Sequence, residues 1–151
     1  YHRFASRDHL AAALWLRTVE RFDRDVVAGV HAEGDPVEVG VSGACHVVEG
    51  CVAHPLDAHV LTGLSMDDLT DDKVPADVVE RGQALRRRQL RAIEHLANRL
   101  DLPVDQVVFA VAGIPYTAVR RAVGDRQPIP PWTTHAVARA CRAVLTNEPT
   151  T

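Results

Sequence analysis

The chain has 151 residues, of which 46% are hydrophobic and 25% charged, and its formal net charge is −3 at pH 7. This composition is typical of a globular protein with one core or two small ones. No apolar run approaches the roughly 18 residues of a membrane-spanning helix, so no membrane contact is predicted. Three cysteines are too few for a disulfide framework. Since no secretory signal is apparent either, the cysteine content favours a reducing, cytoplasmic location.

The two halves of the chain carry opposite charge. The first 81 residues have 7 basic and 15 acidic side chains, whereas the remaining 70 have 10 basic and 5 acidic. Such asymmetry is expected of a nucleic-acid-binding region joined to an acidic interaction region, although clustering of solvated charges would give the same pattern. We therefore predict an acidic helical region over 1–74, for dimerisation or partner binding, and a basic region over 75–151.

Apolar side chains recur at helical spacing near the start of the chain. Ser6 can cap a helix that runs to about Ala28. Four large side chains would share one face of this helix: Trp15, Val19, Phe22 and Val26. That face is a candidate seam for a homodimer, and an ordinary intramolecular core is the alternative.

A second helix is predicted after Asp35. Asp35 and Pro36 combine an N-cap residue with a first-turn proline, and Glu38 completes a capping box. The following apolar residues keep helical spacing, although the alternating valines within 37–41 also fit a strand. His54-Pro55 interrupts the pattern, and a short helix is expected after it.

Four helices are predicted in the C-terminal region: 83–100, 104–112, 115–123 and 131–146. Leu102-Pro103 ends the first of them. Gly113 suits a tight turn with a positive φ, and Pro115 suits the first turn of the helix that follows. The predicted fold class is all-α, with a helical N-terminal region followed by a four-helix helix-turn-helix domain.

Residues 105–124 place small, aliphatic and arginine residues at fixed positions. Positions eight, nine, ten, twelve, fifteen and seventeen of this stretch are Ala112, Gly113, Ile114, Tyr116, Val119 and Arg121. Matches continue in register along the next helix: Ile129, Thr133, Val137 and Ala140. Over residues 104–145 the chain therefore resembles the helix-turn-helix domains of lactose-repressor-type and phage-repressor-type regulators.

The resemblance implies that the second helix of the motif enters the major groove of duplex DNA. Tyr116, Thr117 and Arg121 occupy positions from which the family contacts base edges, and Arg120 lies beside them. The loop residue Arg126 and some of the arginines at 86, 87, 88 and 91 would hold phosphates. On their own, those four arginines also fit an ordinary solvated helix face.

One position departs from the motif. The fifth residue is normally small because the two helices approach closely there, but in this chain it is Phe109, which predicts a different packing. The predicted function is a dimeric, repressor-like transcriptional regulator that binds duplex DNA. The alternative is a protein-interaction module, such as an antitoxin or a phage-type modulator, with a vestigial helix-turn-helix.

Cysteine and histidine are the usual zinc ligands, and five of them lie within 15 residues: Cys45, His46, Cys51, His54 and His59. All but His46 are weak candidates for metal ligands. Their spacing matches no zinc module, so buried cysteines with surface histidines are predicted, and a metal sensor is a third alternative. No catalytic, phosphate-binding or dinucleotide motif occurs, so neither an enzyme nor a cofactor is predicted.

Overall fold

The computed structural model describes residues 7–30, 33–64 and 74–146, and within these ranges the chain forms helices and no strands. The helices are α1 Arg7–Val30, α2 Pro36–Ala53, α3 Pro55–Gly63, α4 Ala76–Leu100, α5 Val104–Gly124 and α6 Thr133–Leu145. The all-α prediction is confirmed. The predicted cap Ser6 lies outside the described residues.

Local sequence signals set most helix boundaries. The Asp35 carboxylate accepts a hydrogen bond from the Glu38 N–H at 3.4 Å, and Pro36 is the first residue of α2. The strand alternative for residues 37–41 is therefore wrong. His54 leaves the helical conformation, with φ −130° and ψ 80°, and separates α2 from α3. Leu100 is the last residue of α4, and Asp101, which follows it, adopts a left-handed conformation with φ 55°.

α2 is the central helix, packed against the other five. It contains only two charged residues, so it is apolar on nearly every side. Small residues let its neighbours approach closely. A Cβ added at Gly40 would lie 2.5 Å from Leu145 on α6, and one added at Gly50 would overlap the ring of Phe22 on α1. The sequence of α2 therefore fixes where α1 and α6 pack.

One hydrophobic core spans both sides of the boundary predicted between residues 74 and 75. It joins Phe22 and Val48 from the N-terminal side to Leu96, Val119 and Val137 from the C-terminal side. A smaller cluster lies between the first halves of α1 and α4. Residues of the acidic and the basic region thus bury each other's apolar surface.

The predicted face of α1 is part of the intramolecular core. Trp15 and Val19 pack against the cluster that includes Leu85 of α4, and Phe22 is buried against the central core. Val26 packs on the same central core. Phe22 is buried while Trp15, Val19 and Val26 are partly buried, so this face contributes to the intramolecular core, and its role as a dimer seam stays a prediction.

Opposite charges of the two regions meet within the molecule. Among the described residues, three ion pairs link carboxylates before residue 75 to arginines after it: Glu20–Arg81, Asp23–Arg88 and Glu38–Arg142. The Glu38 side chain therefore reaches α6, where hydrogen bonding from Arg142 lowers the Glu38 pKa. Part of the charge asymmetry in the sequence therefore reflects ion pairing between packed helices. This makes the asymmetry a weaker indication of nucleic-acid binding.

Candidate interaction surface

The sequence predicts a tight turn at Gly113 between two helices, and this prediction is wrong. Val104–Gly124 is one uninterrupted helix of 21 residues. Gly113 has φ −62° and ψ −48°, which are right-handed helical values rather than the positive φ of a turn. The helices predicted over 104–112 and 115–123 are therefore successive parts of α5.

α5 continues through Pro115 because its hydrogen-bonding pattern changes locally. Proline has no N–H group, and its ring crowds the carbonyl group four residues before it. α5 accommodates this buried proline by widening into a π-helical turn over Phe109–Gly113, where the Ile114 N–H donates to the carbonyl of Phe109. Such turns are rare and frequently lie at functional sites.

Phe109 lies on the outer side of α5, with 58% of its surface exposed. Its ring packs over Gly113 of the same helix, since a Cβ added at Gly113 would lie 3.3 Å from Phe109 Cδ2. In the helix-turn-helix motif this position lies where the two helices approach each other most closely. Because the chain forms no turn at Gly113, the residues after it continue the same helix and do not cross the ring, and the phenyl group that would obstruct the motif is accommodated at the surface.

The exposed side of α5 carries a row of apolar side chains between an acidic and a basic residue. We name this row the α5 stripe: Asp105, Val108, Phe109, Ala112, Tyr116 and Arg120. Apart from the adjacent pair Val108 and Phe109, its members recur every three or four residues, and all are exposed, so they share one face. The opposite face enters the core through Val107, Ala110 and Val119. Exposed apolar side chains that lie together on one helix face make this face a candidate binding surface.

By length and mean hydropathy, α5 is also long and apolar enough to cross a membrane. The sequence has no uninterrupted apolar run of that length, but an 18-residue window of α5 reaches this mean hydropathy in spite of Arg120 and Arg121. The core helix of a globular protein meets the same criteria, so the absence of membrane contact stays a prediction. In the folded chain α5 packs against α2, α3 and α6, so one side of it is already occupied by protein.

Four of the predicted DNA-contacting side chains lie close together. Tyr116, Thr117, Arg120 and Arg121 occupy the last turns of α5, and all are exposed. Tyr116 and Arg120 belong to the α5 stripe, while Thr117 and Arg121 follow one residue later on the adjacent face. Arg126, in the loop after α5, has a left-handed backbone with φ 53°.

The predicted phosphate-binding arginines of α4 do not join this group. Arg86, Arg87 and Arg91 are exposed on α4, which packs against α1, α2 and the first turns of α5. The end of α5 that carries Arg120 packs instead against α2, α3 and α6. Arg88 points to α1, where it pairs with Asp23. The basic residues of the C-terminal region are thus distributed over different faces.

The four candidate metal ligands lie in different environments within the fold. Cys51 is buried in the core, whereas His54 and His59 are exposed. The Cys45 thiol donates to the Thr134 carbonyl at 3.8 Å. Among the described residues, no three His, Cys, Asp or Glu side chains are close enough to share a metal ion. Cys51 and His59 do line one cleft of about 440 Å³ together with Arg126.

The buried thiols predict a loss of stability at alkaline pH. Burial raises the pKa of Cys51 and Cys141 to about 12 from an ordinary 9.0. Above about pH 9 the unfolded chain releases these protons and the native chain retains them, so the free energy of unfolding falls as pH rises toward 12. The slope from each thiol is at most about 1.4 kcal/mol per pH unit. Urea denaturation between pH 8 and 10.5 measures it.

The control for this effect is the double variant Cys51→Ala/Cys141→Ala. It keeps every other titrating group, so its stability should decline less steeply over the same pH range. Equal slopes for the two proteins would contradict a contribution from the buried thiols.

Sequence reasoning missed one buried charge, Asp23. Its side chain is fully buried against Arg88 of α4. The sequence does indicate its burial, because Asp23 follows Leu16 and Val19 at helical spacing on the core-facing side of α1. A carboxylate in such a position predicts a cationic partner from another helix.

The geometry therefore offers two overlapping surfaces on α5: the apolar centre of the stripe and the basic end near Arg121. Neither surface can be assigned from similarity to characterised proteins. No family model matches this chain, and no curated protein and no solved structure is significantly similar to it.

Proposed function

We propose that this protein acts by binding another protein chain through the α5 stripe. The observation that carries the proposal is the row of exposed apolar side chains on a helix whose other side is packed in the core. Amphipathic helices of this kind dock their apolar residues into grooves or against other helices. Phe109 and Tyr116 supply the aromatic anchors that interfaces favour, and the charged residues at either end supply a polar rim.

Position-specific photo-cross-linking tests the proposal in the cell that produces the full chain. A photoreactive phenylalanine analogue replaces Phe109 in one variant and Leu90 in another. Leu90 is a matched control because it is similarly exposed, at 46%, but lies on α4. We expect light-dependent adducts of defined mass from position 109 and not from position 90. Equal yields at the two positions would exclude the α5 stripe as a specific binding surface.

A second candidate function is the binding of duplex DNA by the basic end of α5. It is supported by the exposure of Tyr116, Thr117, Arg120 and Arg121 on consecutive turns, with Arg126 in the loop that follows. In this reading the protein is a transcriptional regulator that inserts the end of one helix into the major groove. Because the chain forms no turn at Gly113, α5 would enter the groove without the separate first helix that the motif provides.

The DNA-binding candidate predicts a salt-dependent loss of affinity on removing the two arginines. If Arg120 and Arg121 contact phosphates, the variant Arg120→Ala/Arg121→Ala should reduce the slope of log affinity against log salt by about 2. Fluorescence anisotropy with random duplexes measures this slope. The variant Arg86→Ala/Arg87→Ala removes equal charge from α4 and should leave the slope unchanged. Absence of salt-sensitive binding by the unmodified chain would rule the candidate out.

A further inference from the structure

We infer that the chain docked on the α5 stripe is a second copy of this protein, paired antiparallel about a two-fold axis. The inference rests on the proposed function, because it identifies the partner of that same surface. It differs from the dimer predicted from the sequence, which uses a face of α1 whose side chains pack against the intramolecular core.

Charge at the two ends of the α5 stripe determines the direction of pairing. Asp105 lies in the first turn of α5 and Arg120 near its last turn, about 22 Å away at the helical rise per residue. Within the described ranges, neither side chain belongs to an ion pair. A parallel pair would place like charges together at both ends. An antiparallel pair places Asp105 beside Arg120 of the second copy, and two-fold symmetry repeats that contact.

The same register aligns the aromatic residues. Asp105 and Arg120 are equally distant from the middle of the stripe, between residues 112 and 113, and so are Phe109 and Tyr116. With the charges paired, Phe109 of each copy therefore lies opposite Tyr116 of the other. Both side chains are well exposed, Tyr116 by 40%. Aromatic pairs stabilise contacts beyond the area they bury.

The residue at the centre of the α5 stripe is small enough to let two helices approach each other closely. Ala112 lies between the two aromatic residues and is exposed. In the same register Ala112 of each copy lies opposite Gly113 of the other. Small residues therefore face each other at the centre, between the two aromatic pairs, where the helices can approach closely.

Charge reversal tests the pairing on the full chain. Sedimentation velocity over a range of concentrations should show dimerisation of the unmodified protein. Asp105→Arg and Arg120→Asp each place like charges together twice, so each should weaken dimerisation at least about tenfold. An equimolar mixture of the two variants should form heterodimers, since both contacts become attractive. The double variant Asp105→Arg/Arg120→Asp should recover self-association for the same reason.

Control variants separate this inference from the proposed function. Phe109→Ser should be monomeric, while Leu90→Ser should dimerise normally, and circular dichroism should show both to be folded. A monomeric unmodified protein that still cross-links to a different chain from position 109 would overturn the inference and leave the proposed function standing. Single reversals that weaken dimerisation without rescue in the mixture would overturn the antiparallel register.

Discussion

Replacing Arg88 with alanine is expected to lower the free energy of unfolding by about 3 kcal/mol. The Asp23 side chain is fully buried, and its Oδ2 accepts hydrogen bonds from Arg88 Nε at 2.9 Å and from Arg88 Nη2. Its Oδ1 has no hydrogen-bond partner in the described structure. Removing Arg88 leaves a buried carboxylate without a compensating charge. The expected loss is at the lower end for broken buried pairs because Arg88 is itself 57% exposed.

A double-mutant cycle distinguishes a buried pair from a surface pair. Arg87→Ala, the neighbouring exposed arginine, should change stability by no more than about 0.5 kcal/mol. Adding Asp23→Leu to Arg88→Ala should restore much of the lost stability, since the unpaired carboxylate is then removed. If Arg88→Ala alone changes stability by less than about 1 kcal/mol, the pair behaves as an exposed salt bridge and the interpretation is wrong. Urea denaturation followed by circular dichroism provides each value.

Leu96→Ala should also destabilise the protein strongly, by about 2 to 5 kcal/mol. Leu96 is 1% exposed and belongs to the core that joins the acidic and basic regions. Because that core is shared, the variant should lower the unfolding midpoints of both regions together. Two tryptophans report on them separately, Trp15 on α1 and Trp132 just before α6. Variants that retain one tryptophan each should give coincident fluorescence transitions.

The matched control lies on the same helix as Leu96. Leu90→Ala shortens an exposed leucine of α4 and should change stability by no more than about 0.5 kcal/mol. If Leu96→Ala shifted the Trp132 transition without moving the Trp15 transition, the two regions would unfold independently. The shared core would then be too weakly coupled to make the chain one folding unit.

The sequence alone determined where most helices begin and end, because those signals act over a few residues. Asp35 and Pro36 start α2 through a local hydrogen bond and a missing N–H. His54-Pro55 and Leu102-Pro103 end helices because proline disfavours helical backbone in the residue before it. The exposure of Tyr116, Thr117, Arg120 and Arg121 also agrees with their predicted place on a helical surface.

The tertiary structure alone decided the path of the chain through Gly113 and Pro115, on which the candidate site depends. Glycine and proline are compatible with a turn, but also with a helix widened by one π-helical turn. The difference in local energy is small, so contacts made by residues far away in sequence select between them. α2 and α6 pack along α5 on both sides of Gly113, and this packing favours the continuous helix.

Contacts between residues far apart in sequence also explain the environments of Asp23 and Phe109, which were not predicted from the sequence. The buried Asp23 is paired with an arginine 65 residues away, and the exposure of Phe109 depends on the absence of a turn four residues later. Local sequence therefore determined the helices of this protein and the side chains they carry. Which of those side chains became core, ion pair or free surface was decided by long-range packing, because burial is a property of neighbours that the chain brings together only when it folds.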